Sequence, residues 1–349
     1  MEGPRLSETS HKYWLLVTGL VLAVLAAIII STGMGYIHVS AIDIIQVIAA
    51  GLDGSRFVEG LDQAVPFVVM DVRLPRILTA ALVGGGLAMS GVIYQGILLN
   101  PLADPYTLGV SSGAAFGASL AILANLTMLG QYSVPLFAFC GAVATLFMVL
   151  YLSTFNGQMS ANTLILSGVI VGAILSAGIS FLKYLADEQV AVIIFWLMGS
   201  FASRSWSDVG LVAVALTAGS CIGLFYGRDL DIMSLGGRSA DSLGVETART
   251  RTVLLLTASL VTAVCVAVSG IIGFIGLIIP HLMRFVVGPN NRRLLPVSIL
   301  AGAGLLLMAD TVTRAVLPVE VPIGVLTALI GGPFFCVIFR RRQRGLRYE

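Results

Sequence analysis

Two lysines, Lys12 and Lys183, are the only ones in the chain, and neither follows a glycine-rich loop. The phosphate cradle G-x-x-x-x-G-K-[ST] is therefore absent, and the chain does not bind ATP in that way by itself. Within the apolar runs acid–base groups are scarce too: Asp310 stands near the end of one run, and His281 is the only histidine in the apolar portion. Carriers driven by proton or sodium gradients depend on intramembrane charges, so this scarcity argues against a secondary carrier. No nucleophile, base and ligand set gathers in the sequence, which argues against an intramembrane enzyme. A lone histidine lacks the companions of a metal site, so His281 is expected to be packed and hydrogen-bonded. Cys140, Cys221, Cys265 and Cys336 lie far apart inside apolar runs, match no disulfide or metal spacing, and are expected in the core. What remains is arginine. Arg73 and Arg76 stand at the entrance of one apolar run and Arg314 near the end of another, where a guanidinium reaches headgroups or water.

Composition defines the elements that must position these residues. With 57% apolar and 11% charged residues and a mean hydropathy of +0.98, the chain departs from a soluble domain, where roughly a quarter of residues are charged. The fold class is an all-α integral membrane protein. A net charge of +2 implies no nucleic-acid partner, and 39 glycines suit helices that pack by small residues in lipid. About ten transmembrane helices are predicted, at Tyr13–Ser31, Ile77–Leu99, Gly109–Leu126, Val134–Thr154, Ala161–Lys183, Val209–Tyr226, Val253–Ser269, Ile271–Val287, Leu294–Thr311 and Ile323–Phe339. The first is longer than the apolar part of a signal peptide and reads as an uncleaved span. Ala41–Leu52, interrupted by Asp43 and Gln46, suits a helix lying at the interface, while Val190–Phe201 is expected to fold at the surface or re-enter. Between the second and third spans Asn100, Pro101, Asp104 and Pro105 stop the helix. Gly109, Gly113 and Gly117 then leave one face of the next helix as bare backbone.

An even number of spans puts both ends on one side, and that side holds fourteen of the twenty Lys and Arg residues against six on the other. The positive-inside rule makes both termini cytoplasmic. Arg73, Arg76 and Arg314 then face outward, and Asn100–Tyr106 and the Arg228–Arg251 loop face the cytoplasm. A weak inverted repeat fits this map. LTAALVGGGLAMSG from Leu78 resembles LTASLVTAVCVAVSG from Leu256, and a proline follows the serine by eleven positions in each, Ser90 to Pro101 and Ser269 to Pro280. Similar composition of two Gly- and Ala-rich spans explains the match equally well.

The largest cytoplasmic segment is Gly227–Thr252. Leu230, Met233 and Leu235, a Gly236-Gly237 break, then Ala240, Leu243 and Val245 predict two short helices with apolar faces. Such helices dock on a partner or rest on the membrane surface.

RLPRILTAALVGGGLAMSG, NPLADPYTLGVSSGAAFGA, LILSGV, FWLMGS, MSLGGRSADSLGV, SGIIGFIGLIIPHLMR, LLLMADTVTR and VPIGVLTALIGGP run from about Arg73 to Pro333. Together they resemble, in order, the FecCD family of permeases in iron-siderophore, haem and cobalamin ABC importers. The resemblance implies a single polytopic permease domain over residues 1–349, with a cytoplasmic coupling segment at 228–252, in the cytoplasmic (inner) membrane. It implies a second permease copy or close paralogue, two ATP-binding subunits and an extracytoplasmic substrate-binding protein as partners, besides membrane lipid. No cofactor belongs to this chain, and ATP and Mg sit on the partner ATPases. The chain is then no enzyme but a transport subunit for a metal chelate, ferric siderophore first, with haem or cobalamin as alternative cargo; a secondary carrier acting without ATPases is the reading from another class. By resemblance, Arg73, Arg76 and Arg314 match arginines that pair with glutamates of the binding protein, a task suited to an exposed bidentate fork. Interfacial anchoring is the plainer alternative. Ser234, Leu235, Gly236, Ser239, Ala240, Leu243, Gly244 and Val245 match the coupling helices that enter a groove on the ATPase. Asn100, Leu102, Ser160 and Asn162 match a cytoplasmic gate, though Ser160-Ala161-Asn162 departs from a uniform hydroxyl pattern and Asn100 serves equally as a helix C-terminal cap.

Overall fold

The computed structural model describes residues 6–35, 39–52, 61–62, 64–126, 128–155, 158–316 and 320–345. Arg5, Arg56 and Arg347 of the charge count lie outside them. The chain begins with α1 (Leu6–Gly33), α2 (Ala41–Leu52) and α3 (Ala64–Phe67), which runs through a π-helical turn, Val68–Arg73, into α4 (Leu74–Ile97). Then come α5 (Val110–Leu123), α6 (Ser133–Ser153), a small hairpin of β1 (Thr154–Phe155) and β2 (Gln158–Met159), α7 (Ala161–Leu185), α8 (Val190–Leu197) and α9 (Trp206–Phe225). The short α10 (Gly227–Met233) and α11 (Gly237–Ser242) precede α12 (Thr247–Ser269), α13 (Ile275–Val287), α14 (Asn291–Ala315) and α15 (Ile323–Gly345).

Helix α4 is the axis. Twenty of its 24 residues are buried, and α9, α12, α13 and α14 pack around it. A helix apolar on all sides is stable in such a place, whereas α1, with 11% of its span buried, is peripheral. Small residues set the distances. A Cβ on Gly91 of α4 would lie 1.9 Å from the Gly276 carbonyl oxygen of α13, and one on Gly117 of α5 would lie 2.1 Å from that of Phe137 in α6. The Gly113 and Gly117 face predicted from sequence is thus where α6 approaches; Gly109 sits just before the helix in a left-handed conformation.

Seven of the ten predicted spans are helices long and apolar enough to cross a bilayer. The other three are shorter apolar helices, and within the predicted span Ile271–Val287 only α13 is helical, 13 residues or about 20 Å against a hydrocarbon core of about 30 Å. Residues 270–274 leave the helix, with Gly270 and Phe274 at positive φ. This unwound backbone is satisfied by protein: Ser200 N donates to Ser269 O at 2.8 Å, and the Tyr106 hydroxyl donates to Ile272 O at 2.8 Å. The segment around α8 buries Ile193 and Phe201 fully. α2 packs Ile44 and Val47 against Val69 and Leu74, beside the entrance of α4.

Two prolines explain two local departures. Pro75 has no N–H, so the preceding turn closes in the π register, with Leu74 N bonded to Val69 O; the unclaimed Met70 carbonyl accepts instead from Trp206 Nε1 at 2.9 Å. Pro280 likewise leaves the Gly276 carbonyl without a helical donor. Gln95 of α4 turns its amide there, donating to Leu277 O at 3.1 Å and more weakly to Gly276 O at 3.5 Å, while Arg284 Nη1 donates to Gln95 Oε1 at 2.9 Å.

Only Cys265 is in the core; Cys140, Cys221 and Cys336 are exposed on helix surfaces, which corrects the expectation for all four. In lipid both faces of a helix are apolar, so a run's hydropathy does not say which side is protein. The two copies of the repeat also end differently. Ser90 lies inside α4, its hydroxyl donating to Ala258 O, whereas Ser269 is the last residue of α12; Pro101 is in a turn, and Pro280 is within α13.

Candidate functional site

Arg73, Arg76 and Arg314 meet where α1 and α14 end and α4 begins. Arg76 lies on Asp310 with Nε 3.1 Å from both carboxylate oxygens and Nη2 2.8 Å from Oδ1; Nη2 also donates to Glu320 Oε1 at 2.6 Å. Asp310 is 2% exposed, Arg76 12% and Glu320 50%. The acid that stood alone in the sequence therefore has its partner, on a helix 234 residues away.

Arg73 and Arg314 do something else. Arg73 Nη1 donates to Thr32 O at 2.7 Å, Arg314 Nη1 to Met34 O at 2.8 Å, and Arg314 Nη2 to Ser31 O at 2.8 Å. These carbonyls close α1, whose last turn has no further helical donors, and cationic side chains there also face the negative end of the helix dipole. A Cβ on Gly35 would lie 2.7 Å from Arg73 Nη2, so the chain passes directly over the guanidinium. Arg73 is 6% exposed, which corrects the expectation of an exposed fork at that position. The end of α1 covers it. A fourth arginine, Arg204, stands in the loop before α9 and donates to Val268 O at 2.6 Å. Burial pulls its pKa down, the charge of Arg76 acts in the same direction, and Asp208 opposes both.

Arg76, Asp310 and Glu320 line a cavity of about 280 Å³ together with Phe195, Phe201 and Pro322. Among the described residues no three His, Cys, Asp or Glu side chains gather as a metal site requires. His281 packs edge-on against Phe285 at 5.1 Å.

At the other end of α4, α10 and α11 are the two short helices predicted. Leu230, Met233, Ala240 and Val245 turn inward, and Leu230 fills the space beside Gly96 of α4. Leu235 and Leu243, 65% and 60% exposed, turn outward with Ser234 and Ser239. Gly236 and Gly244 take positive φ and frame α11. Asp231 Oδ1 accepts from Asn291 N and Nδ2 at 2.8 and 2.7 Å, fixing α10 to the start of α14.

The expected gate residues keep local company. Asn100 N donates to Gln95 O at 3.2 Å beyond Leu99 at φ 49, a helix stop of the Schellman kind, and its side chain accepts from Leu102 N at 3.0 Å. Ser160 is the N-cap of α7 in a capping box with Thr163, and Asn162 is exposed in its first turn. The hydrogen bonds found do not join the two pairs. On the same turn, burial pushes the Asp104 carboxyl up to about 6, a shift opposed by the hydrogen bond it accepts from Tyr106 N.

Sequence reasoning passed over Gln95, Arg284 as its partner, Glu320 and the α1 carbonyls. The one available signal for Glu320 was an acid lying close in sequence to Arg314 on the expected outer side.

Fold and site together define a class: a multi-pass integral membrane protein built around one buried helix, with a polar cluster at one end and two short helices at the other. The chain belongs to the FecCD transport family, whose profile matches residues 22–341. It is 44% identical over 285 residues to the cobalamin import system permease protein BtuC of Halobacterium salinarum, covering 81% of this chain and 76% of that one. It is 42% identical over 330 residues to the molybdate import system permease protein MolB of Haemophilus influenzae, covering 94% and 96%. Among solved structures, a metal-chelate type ABC transporter in an inward-facing conformation matches with a TM-score of 0.79 at 39% identity, over 93% of this chain and 98% of that one. The family is one of transport components rather than enzymes.

Proposed function

We propose that this chain is the permease subunit of an ABC importer that moves a metal chelate, ferric siderophore first, into the cell, with ATP and Mg bound and hydrolysed on partner subunits. The observation that carries this is a family match over residues 22–341, joined to a structural match over 93% of the chain. In this reading a second permease copy or close paralogue completes the pathway, two ATPases sit beneath it and a binding protein delivers cargo from outside. Each partner must favour one conformation over another, since equal affinity for both shifts nothing. Uptake of labelled ferric siderophore, haem, cobalamin and molybdate by cells with and without the gene, with ATP depletion as control, tests it. Loss of one ATP-dependent uptake names the cargo; retention of all four, with no paralogue to compensate, sends the function to another class.

The two ends of α4 take different partners in this proposal. Arg76, with Arg73 and Arg314 behind it, forms the ground on which the binding protein docks, and Asn100, Leu102, Ser160 and Asn162 narrow the cytoplasmic end. The segment 228–252 enters the ATPase. The outward position of Leu235 and Leu243 supports that assignment, because apolar side chains exposed beside charge fit a partner's groove. Leu243→Asp is expected to leave the permease folded and to reduce copurification of the ATPase at least tenfold. A pull-down from detergent at equal permease yield checks it, and full retention counts against the assignment. Both termini and α11 are placed in the cytoplasm. A cysteine introduced as Ser239→Cys is then labelled by an impermeant maleimide in inside-out vesicles only, and labelling of intact cells from outside reverses the map.

A further inference from the structure

Arg76 is held by two acids of different kinds. Asp310 takes Nε and one hydrogen of Nη2 from a position 2% exposed, and withdrawing it would strand a buried charge. Glu320 takes the remaining outer side of Nη2, at 2.6 Å, from a position 50% exposed. An ion pair with one partner so open to water contributes little to stability, so Glu320 can turn into solvent at small cost. It also stands on the wall of the cavity that Arg76 lines with Phe195, Phe201 and Pro322.

We propose that Glu320 is an internal stand-in for an acidic side chain of the extracytoplasmic binding protein: it holds the outer edge of the Arg76 guanidinium in the unpartnered permease and gives it up when the partner docks. The inference rests on the docking function proposed above for this cluster. Docking at Arg76 is then an exchange of one carboxylate for another. No proton moves and Asp310 stays in place, so the guanidinium is never left without an outer acceptor. The return of Glu320 competes with the partner's carboxylate and hastens its departure after delivery.

The test uses the whole permease with its ATPase subunits in lipid nanodiscs and the cognate binding protein as the probe. Glu320→Gln keeps the size of the side chain and removes the competing charge, and is expected to tighten docking about threefold to fivefold, chiefly through slower release. The same substitution is made in an Arg76→Gln, Asp310→Asn background, where the buried pair is neutral and no stranded charge unfolds the chain. There the exchange predicts that Glu320→Gln changes nothing. General repulsion between Glu320 and an acidic partner would tighten docking equally in both backgrounds, and that result overturns the exchange. Unchanged or weaker docking by Glu320→Gln, with the Arg76→Gln, Asp310→Asn pair weakening it, overturns the exchange while the docking function stands. If the neutral pair itself docks like the parent, both fall together.

Discussion

Asp310→Ala is expected to destabilise the folded permease by about 3 kcal/mol, the size of effect seen when one partner of a buried ion pair is removed. The charge left behind is that of Arg76, 12% exposed, with Glu320 as its remaining ion-pair partner among the described residues. Glu320 cannot replace what is lost, since Nε and the inner hydrogen of Nη2 both point to Asp310. The counterpart experiment separates charge from shape. Arg76→Met with Asp310→Leu removes both charges and keeps apolar bulk, so it should recover most of the lost stability while giving none of the proposed docking. Thermal unfolding in detergent of the three proteins checks this. A single variant as stable as the parent would mean that the pair is not the buried bridge described.

Gly91→Ala is expected to be about as damaging. Its new carbon would lie 1.9 Å from the Gly276 oxygen and 2.8 Å from its Cα, atoms of the main chain that no rotamer change can withdraw. Restoring ordinary contact requires α4 and α13 to part by about 1.5 Å. That movement also pulls Gln95 from the two carbonyls it serves. Overpacking of this kind costs about 3 kcal/mol, and here it falls on the central helix. The expected outcome is aggregated or degraded protein, scored by size-exclusion profile and membrane yield. Gly210→Ala in α9, where nothing lies within 4 Å, is the control and should behave as the parent. Normal yield of Gly91→Ala would show that α13 is less tightly seated than the distances say.

What could be read from sequence was what depends on neighbours in the chain. Gly236-Gly237 between two apolar clusters is a local pattern, and it marked α10 and α11 correctly; Gly113 and Gly117 likewise announced a helix–helix approach. Leu235 and Leu243 were grouped with Leu230 and Val245, because which apolar residue turns inward depends on α4, α12 and α14, against which the segment packs, and not on the local pattern. The length of α13 was misjudged for a similar reason. Residues 270–274 are as apolar as a helix, and only Tyr106 and the 196–200 turn, brought from elsewhere, make an unwound chain acceptable there. For the arginines, type and spacing were legible but their acceptors were not. Thr32 and Asp310 lie 41 and 234 residues away, and a carbonyl oxygen carries no mark in a sequence.

The closure of α1 by Arg314 spans 280 residues of chain. At about 5–20 residues per second, a ribosome needs roughly 15 to 60 seconds to make the residue that completes a helix already delivered to the bilayer. For that interval Ser31 O and Met34 O have only water or lipid headgroups for donors, and the first helix waits beside a growing bundle. Its final seat is among the last to be filled, although it is the first to be made. A nascent chain arrested before residue 314 should therefore leave the C-terminal end of α1 open to protease, and extension through α14 should shut it.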